Sequence, residues 1–332
     1  MTDTRPSAAP QAGLAPAPPP TPAPGAGATS GGDSLAGFFY ALGAYSLWGF
    51  LPLYMKALAH VSPVEVIVHR VIWSVPVAIA ILLVTGRTAD LRRALVTPST
   101  LVMGATTAVL ISVNWAIYVW AIGSGHALDA ALGYYINPLF SILLGAALLR
   151  ERLAALQWLA IALAALAVAL LTWDTGRLPL VALSLTLSWG IYAFLKKKLP
   201  IGPNQGFTLE VLLLTPPALA YLAWLTLRGE SHFLAGVAQD TWLLFGAGII
   251  TAVPLMLYAN GAKGLTLSTI AVMQYLTPTM IFLTAVFIFD EPMSRARMIA
   301  FPLIWSALAL YTGSMLLQAR GRRAARLSRP AG

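Results

Sequence analysis

The stretch VEVIVHRVIWSVP, from Val64 to Pro76, sets Glu65, His69 and Arg70 within six positions of an otherwise apolar run. On a helix Glu65 and His69, four apart, share a face within hydrogen-bonding reach. Trp73 continues that face, and Arg70 lies roughly 140° around from Glu65. Ionisable groups inside a bilayer are costly and normally face a cavity or each other. A His beside a carboxylate can change charge near neutral pH. The trio therefore reads as a substrate- or proton-binding cluster, the alternative being an interfacial pair that snorkels at a helix end. LEVLLLTPP, from Leu209, places Glu210 at the start of another apolar run. The helix dipole would also favour an acid there at headgroup level. Asp129 is the third acid close to a span. Arg stays protonated, so of the coupling candidates Glu65, His69, Arg70, Asp129 and Glu210, the pair Glu65 and His69 is the one expected to carry a proton.

A second set is polar and aromatic: Asn114, Trp115, Tyr118, Trp120, Tyr135, Asn137, Tyr258, Asn260, Gln274 and Tyr275. Binding pockets are mostly apolar and aromatic with a few placed polar groups, and this set suits a cavity for a small solute. Hydrogen bonding between helices uses the same residue types. Asn114, Tyr118 and Tyr258 are expected to converge between two halves of the chain. Pro138 and Pro278 each remove a backbone donor in mid-span and are expected to bend their helices. His60, His126 and His232 stand apart at loops or span ends, so no metal site is expected. Phosphate loops and hydrolase signatures are missing; neither enzymatic activity nor a cofactor is expected.

These residues must be held by membrane helices. The 332-residue chain is 58% hydrophobic and 10% charged, without cysteine, where a soluble domain is about a quarter charged. A span needs about 20 mostly apolar residues. Ten stretches qualify: 37–56, 64–84, 99–122, 128–149, 154–173, 178–195, 207–227, 241–262, 267–289 and 298–317. Backbone groups in lipid must pair internally, which makes the spans helices. The first 36 residues hold eight of the 23 prolines and read as a disordered cytoplasmic tail; residues 318–332 form a basic one.

With the N-terminus inside, 15 of the 21 basic residues fall on the cytoplasmic side, five outside, and Arg70 within a helix. The protein is thus expected in the cell (inner) membrane, with both termini cytoplasmic. The net charge of +9 follows membrane topology and implies no nucleic-acid partner. The chain also repeats itself. Tyr135, Pro138 and Glu151 recur 140 residues on as Tyr275, Pro278 and Glu291, Tyr118 recurs as Tyr258, and Trp48 and Trp189 are 141 apart. Glu151 and Glu291 read as helix-end residues that make loop contacts. Two five-helix units, 37–173 and 178–317, therefore follow each other. Five is odd, so the second enters the membrane inverted, an architecture of secondary transporters with a midplane site.

The motifs EVIVHRVIWS (65–74), NWAIYVWA (114–121) and LGYYINPLFSILLGAALLRERL (132–153), on a ten-helix 5+5 plan, resemble the RarD branch of the EamA family in the drug/metabolite transporter superfamily. The resemblance covers roughly residues 37–317; Asp129 departs from it, since RarD-like sequences usually carry Glu there. It implies a permease for small metabolites or drugs, in a branch labelled chloramphenicol-related. The expected protein is an all-α integral membrane transporter of ten helices in two inverted repeats. Its partners are the lipid bilayer and a small-molecule solute, and a homodimer is left open. An intramembrane lipid-modifying enzyme or a membrane sensor is the rival reading, which would need a clustered acid or His site at one face or a substantial soluble domain.

Overall fold

The computed structural model describes residues 34–86, 88–149, 153–265 and 267–327. Nearly all of the expected N-terminal tail, the last five residues and Glu151 lie outside the described residues. Every regular element among the described residues is an α-helix: α1 Leu35–Ala57, α2 Pro63–Val84, α3 Thr88–Leu95, α4 Pro98–Gly123, α5 Ala127–Leu149, α6 Ala155–Thr175, α7 Leu180–Lys198, α8 Pro203–Leu227, α9 Ala238–Lys263, α10 Leu267–Met273, α11 Leu276–Phe287 and α12 Arg295–Leu327. Proline opens α2, α4 and α8, where its missing N–H is one no helix would use. Ser34 starts α1, its Oγ accepting from the Gly37 N–H at 3.0 Å.

Eight of the described helices are long and apolar enough to cross a membrane. α7 falls short because its last turn is Lys196, Lys197 and Lys198. The expected ninth span, 267–289, is not one helix: it breaks at Gln274 and Tyr275 into α10 and α11. The cause is legible at Pro278, which lacks an N–H and whose ring would strike the carbonyl of residue 274 in a continuous helix. Pro278 instead occupies the first turn of α11, while α5 runs on through Pro138. Two further differences concern polar ends. A short helix, α3, carrying Arg92 and Arg93, follows α2, and α12 continues to Leu327, past the expected end at 317.

The helices pack α1 on α9 and α11, α2 on α8 and α9, α4 on α7 and α8, α5 on α7 and α11, and α6 on α12. Large apolar side chains remain uncovered around the outside, among them Val84 (89% exposed), Trp173 (88%) and Leu166 (54%), as lipid-facing surfaces require. Glu65, His69, Arg70, Asn114, Asn137 and Glu210 are buried instead. The polarity sits inside. At the α2–α9 crossing Ser74 donates to the carbonyl of Gly248 at 3.3 Å. Any side chain at Gly248 would overlap the backbone of Trp73, so glycine is what lets these two helices meet.

Candidate functional site

Glu65 lies in the first turn of α2 and is 1% exposed. One oxygen accepts from the His232 backbone N–H at 2.7 Å and from Ser231 Oγ at 3.3 Å. The other meets His232 Nδ1 at 2.8 Å. Its expected partner is engaged elsewhere: Trp73 Nε1 donates to His69 Nδ1 at 3.2 Å, and the His69 ring lies 4.8 Å from that of Phe233. His60 pairs with Asp240 at 3.0 Å, and the rings of His60 and His232 are 5.9 Å apart. His60 and His232 are therefore not isolated. His232 joins the α8–α9 connection to the start of α2, and His60 joins the α1–α2 loop to the first turn of α9.

About 10 Å along α2 from its start, by helix rise, comes Arg70, 4% exposed. Its Nε donates to Thr251 Oγ1 of α9 at 3.0 Å, and its guanidinium lies 4.5 Å from the Trp115 ring of α4. The phenols of Tyr54, Tyr118 and Tyr134 are close enough to feel its charge. Tyr118 packs on Tyr134 (ring centroids 5.8 Å apart) and Tyr134 on Trp189 (6.4 Å). Asn114, one turn from Tyr118, donates to Ser188 Oγ at 2.9 Å and to the Leu185 carbonyl at 3.2 Å, both on α7. Four helices, α2, α4, α5 and α7, thus bring Arg70, Asn114, Trp115 and Tyr118 together with Tyr134 and Trp189.

The other expected residues go elsewhere. Tyr258 forms a separate aromatic group with Tyr45 (5.9 Å) and Trp48 (5.8 Å) at the α1–α9 contact. Tyr135 turns toward α11, its hydroxyl 2.7 Å from Thr279 Oγ1. Asn137 is buried with no partner for its Oδ1. Gln274 and Tyr275 form the break between α10 and α11. Trp120 does not join the cluster; it is 46% exposed and stacks on His126. Exposed Asn260 also stays out, bonding back to the Met256 carbonyl at 3.1 Å. A groove of about 540 Å³ along α6, lined by Val168, Ala169, Thr172 and Trp173 among others, contains none of these residues.

Three further acids are held by polar partners. Glu210 of α8, 1% exposed, meets Lys196 Nζ at 2.6 Å and accepts from the Tyr192 hydroxyl at 3.3 Å. Asp129 pairs with Arg297 at 3.1 Å. Glu291 accepts the N–H groups of Ala127 (2.6 Å) and Leu128 (2.9 Å). It thereby satisfies two of the orphan donors at the start of α5, where a carboxylate also suits the helix dipole.

The family model for EamA-like transporters matches residues 35–173. The uncharacterized transporter of Vibrio cholerae is 40% identical over 295 residues, spanning 89% of this chain and 97% of its own. Protein RarD of Escherichia coli is 38% identical over 275 residues, spanning 83% of this chain and 93% of its own. The chain belongs to the EamA-like transporter family. A solved crystal structure, 22% identical, shares the fold at a TM-score of 0.54 over 89% of this chain and 99% of its own. As an EamA-like, RarD-related chain it is a multi-pass membrane protein, and its buried polar residues have to be understood in lipid. Sequence reasoning missed His232, Lys196, Thr251, Tyr134 and Trp189 as site residues. Trp189 alone carried a signal, its recurrence with Trp48.

Proposed function

We propose that this protein is a secondary-active transporter of small organic molecules, without enzymatic activity. In this reading it crosses the inner membrane ten times in two inverted five-helix halves, with both termini cytoplasmic. The observation that carries the reading is that the loop contacts sort into two sets. His60 with Asp240, Glu65 with His232, Asp129 with Arg297, Asp174 with Ser294, and Glu291 with the start of α5 would all lie on one side. Ser34, whose N–H donates to the Gly264 carbonyl at 2.8 Å, and the Lys196–Glu210 pair would lie on the other. Such sorting fits a chain that crosses at α7 and again along α10 and α11. The packing pattern supports the repeat. Exchanging α1 with α7, α2 with α8, α4 with α9, α5 with α10–α11 and α6 with α12 turns the contacts α1–α9, α2–α9 and α1–α11 into α7–α4, α8–α4 and α7–α5, all of which occur.

Each contact of the first set ties the first half to the second. In this reading the structure is closed toward the outside, and alternating access requires those contacts to break in every cycle. Proton coupling falls to Glu65, with His232 in place of His69 as its partner and Glu210–Lys196 as the pair near the cytoplasmic end. Inside-out vesicles carrying the protein, screened with a panel of small metabolites with and without a proton gradient, test the proposal. At least one solute should accumulate, and a protonophore should abolish the accumulation. A panel that moves no faster than in vesicles without the protein would overturn it.

A further inference from the structure

Among the described residues, every buried acid already has a partner: Glu65 has His232, Glu210 has Lys196, Glu291 has the start of α5, and Asp240 has His60. Among the same residues Arg70 has no anion: its contacts are a neutral hydroxyl, Thr251, and the face of Trp115, and its Nη1 is buried without a hydrogen-bond partner. Arginine cannot escape by losing its proton. A buried cation missing its counter-ion is strongly unfavourable, and an aromatic face offsets only part of that. Two more buried polar atoms nearby are also unused, the hydroxyl of Tyr118 and Oδ1 of Asn114. Asn114 and Tyr118 share a face of α4, and Trp115 of the same helix carries the guanidinium. One cationic donor, one hydroxyl and one amide acceptor thus sit unsatisfied among the rings of Trp115, Tyr118, Tyr134 and Trp189.

We infer that Arg70 is the anchor for the anionic end of the transported solute, and that the solute class is small organic carboxylates with a flat, apolar body. The guanidinium presents a planar fork that matches a carboxylate, and Tyr118 supplies a second donor to the same group. Asn114 Oδ1 accepts from a hydroxyl or amide N–H of the solute, and the aromatic side chains cover its body. The site is directional: Pro63 and Pro203, which open α2 and α8, are 140 residues apart, and this sets Glu210 of the second half at the place of Arg70. A carboxylate therefore has one cationic end to dock on. The role of this site rests on the transporter reading above.

The test uses four molecules of one shape and different charge: 3-phenylpropionate, 2-phenylethyl phosphate, 3-phenylpropanol and 3-phenylpropylammonium. Binding to the purified full chain in detergent is read from quenching of tryptophan fluorescence and from the shift in melting temperature. The carboxylate should bind saturably and at least tenfold more tightly than the alcohol, with the ammonium weakest. Tighter binding of the phosphate than of the carboxylate overturns the carboxylate assignment. Arg70→Gln should bring carboxylate and alcohol to equal affinity, and Arg70→Lys should retain part of the preference. Trp115→Phe should weaken all four ligands while keeping their order. Should Arg70→Gln fail to fold, the wild-type charge series still decides. Equal affinity for alcohol and carboxylate, or a preference that survives Arg70→Gln, overturns the inference. Vesicles that accumulate neutral or cationic solutes but show no preference for anions leave the transporter reading standing and refute this one. Anion binding that Arg70→Gln removes, in a protein that moves no solute, does the reverse.

Discussion

Replacing Glu65 by Gln is expected to loosen the seam between α2 and the α8–α9 connection. The carboxylate accepts from the His232 N–H at 2.7 Å and meets the His232 imidazole at 2.8 Å. A hydrogen bond to a charged group contributes about 1.5–3 kcal/mol and a neutral one about 0.5–1.5, so losing the charge costs about 1–1.5 kcal/mol per bond. Two bonds give about 2–3 kcal/mol, or roughly 30- to 140-fold in an opening equilibrium at tenfold per 1.4 kcal/mol. The His232 side chain is 37% exposed, and water screens its share, which makes about 30-fold the figure to expect. The assay exploits a chain that contains no cysteine. His69 is 0% exposed and lies against Phe233, so a cysteine in its place should react with an external, membrane-impermeant maleimide only when this connection lifts. The His69→Cys protein should label slowly, and the double variant with Glu65→Gln roughly 30 times faster. Equal rates in the two proteins would refute the argument that Glu65 holds this face shut.

In transport, Glu65→Gln should still insert and fold and should still exchange solute, but lose accumulation driven by a proton gradient; wild-type rate and pH dependence in vesicles would remove Glu65 as the coupling group. Gly248→Ala forces a methyl group into the Trp73 backbone and should destabilise the α2–α9 crossing by about 1–3 kcal/mol, seen as a lower melting temperature in detergent. Glu291→Ala removes the acceptor for two N–H groups at the start of α5 and should cost about 1–2 kcal/mol, whereas exposed Trp120→Ala should leave the melt almost unchanged. A reporter fused after Arg329 should report cytoplasm, and one within 228–237 the outside.

Much of the architecture can be read from composition, because lipid leaves the backbone few alternatives to helices. The break at Gln274 is encoded too, in Pro278; reading that proline as a bend rather than an interruption joined α10 to α11. The site was less legible, and helix geometry gives the reason. Trp115 and Trp120 are five apart, roughly 140° around the helix, so only one of them can face Arg70. Asn260 is two residues from Tyr258, roughly 200° around, and so points away from the aromatic group there. Tyr118 and Tyr258 each lie five residues before the end of their helices, α4 ending at Gly123 and α9 at Lys263. In the proposed inverted repeat those ends lie on opposite sides of the membrane, which would separate the two tyrosines that sequence symmetry pairs. Glu65 and His232, 167 residues apart, share no local pattern; tertiary structure alone brings them together.

Alternating access between two halves is tested most directly by tying the outer seam. His60 and Asp240 touch across it at 3.0 Å, and the double variant His60→Cys, Asp240→Cys can be bridged by a short, reversible bis-methanethiosulfonate. Uptake of whichever solute the vesicle screen identifies should proceed in the double variant, fall to background when it is bridged, and return once a reductant cuts the bridge. Undiminished uptake by fully bridged protein would contradict the account, because the seam would then not have to open for a solute to cross.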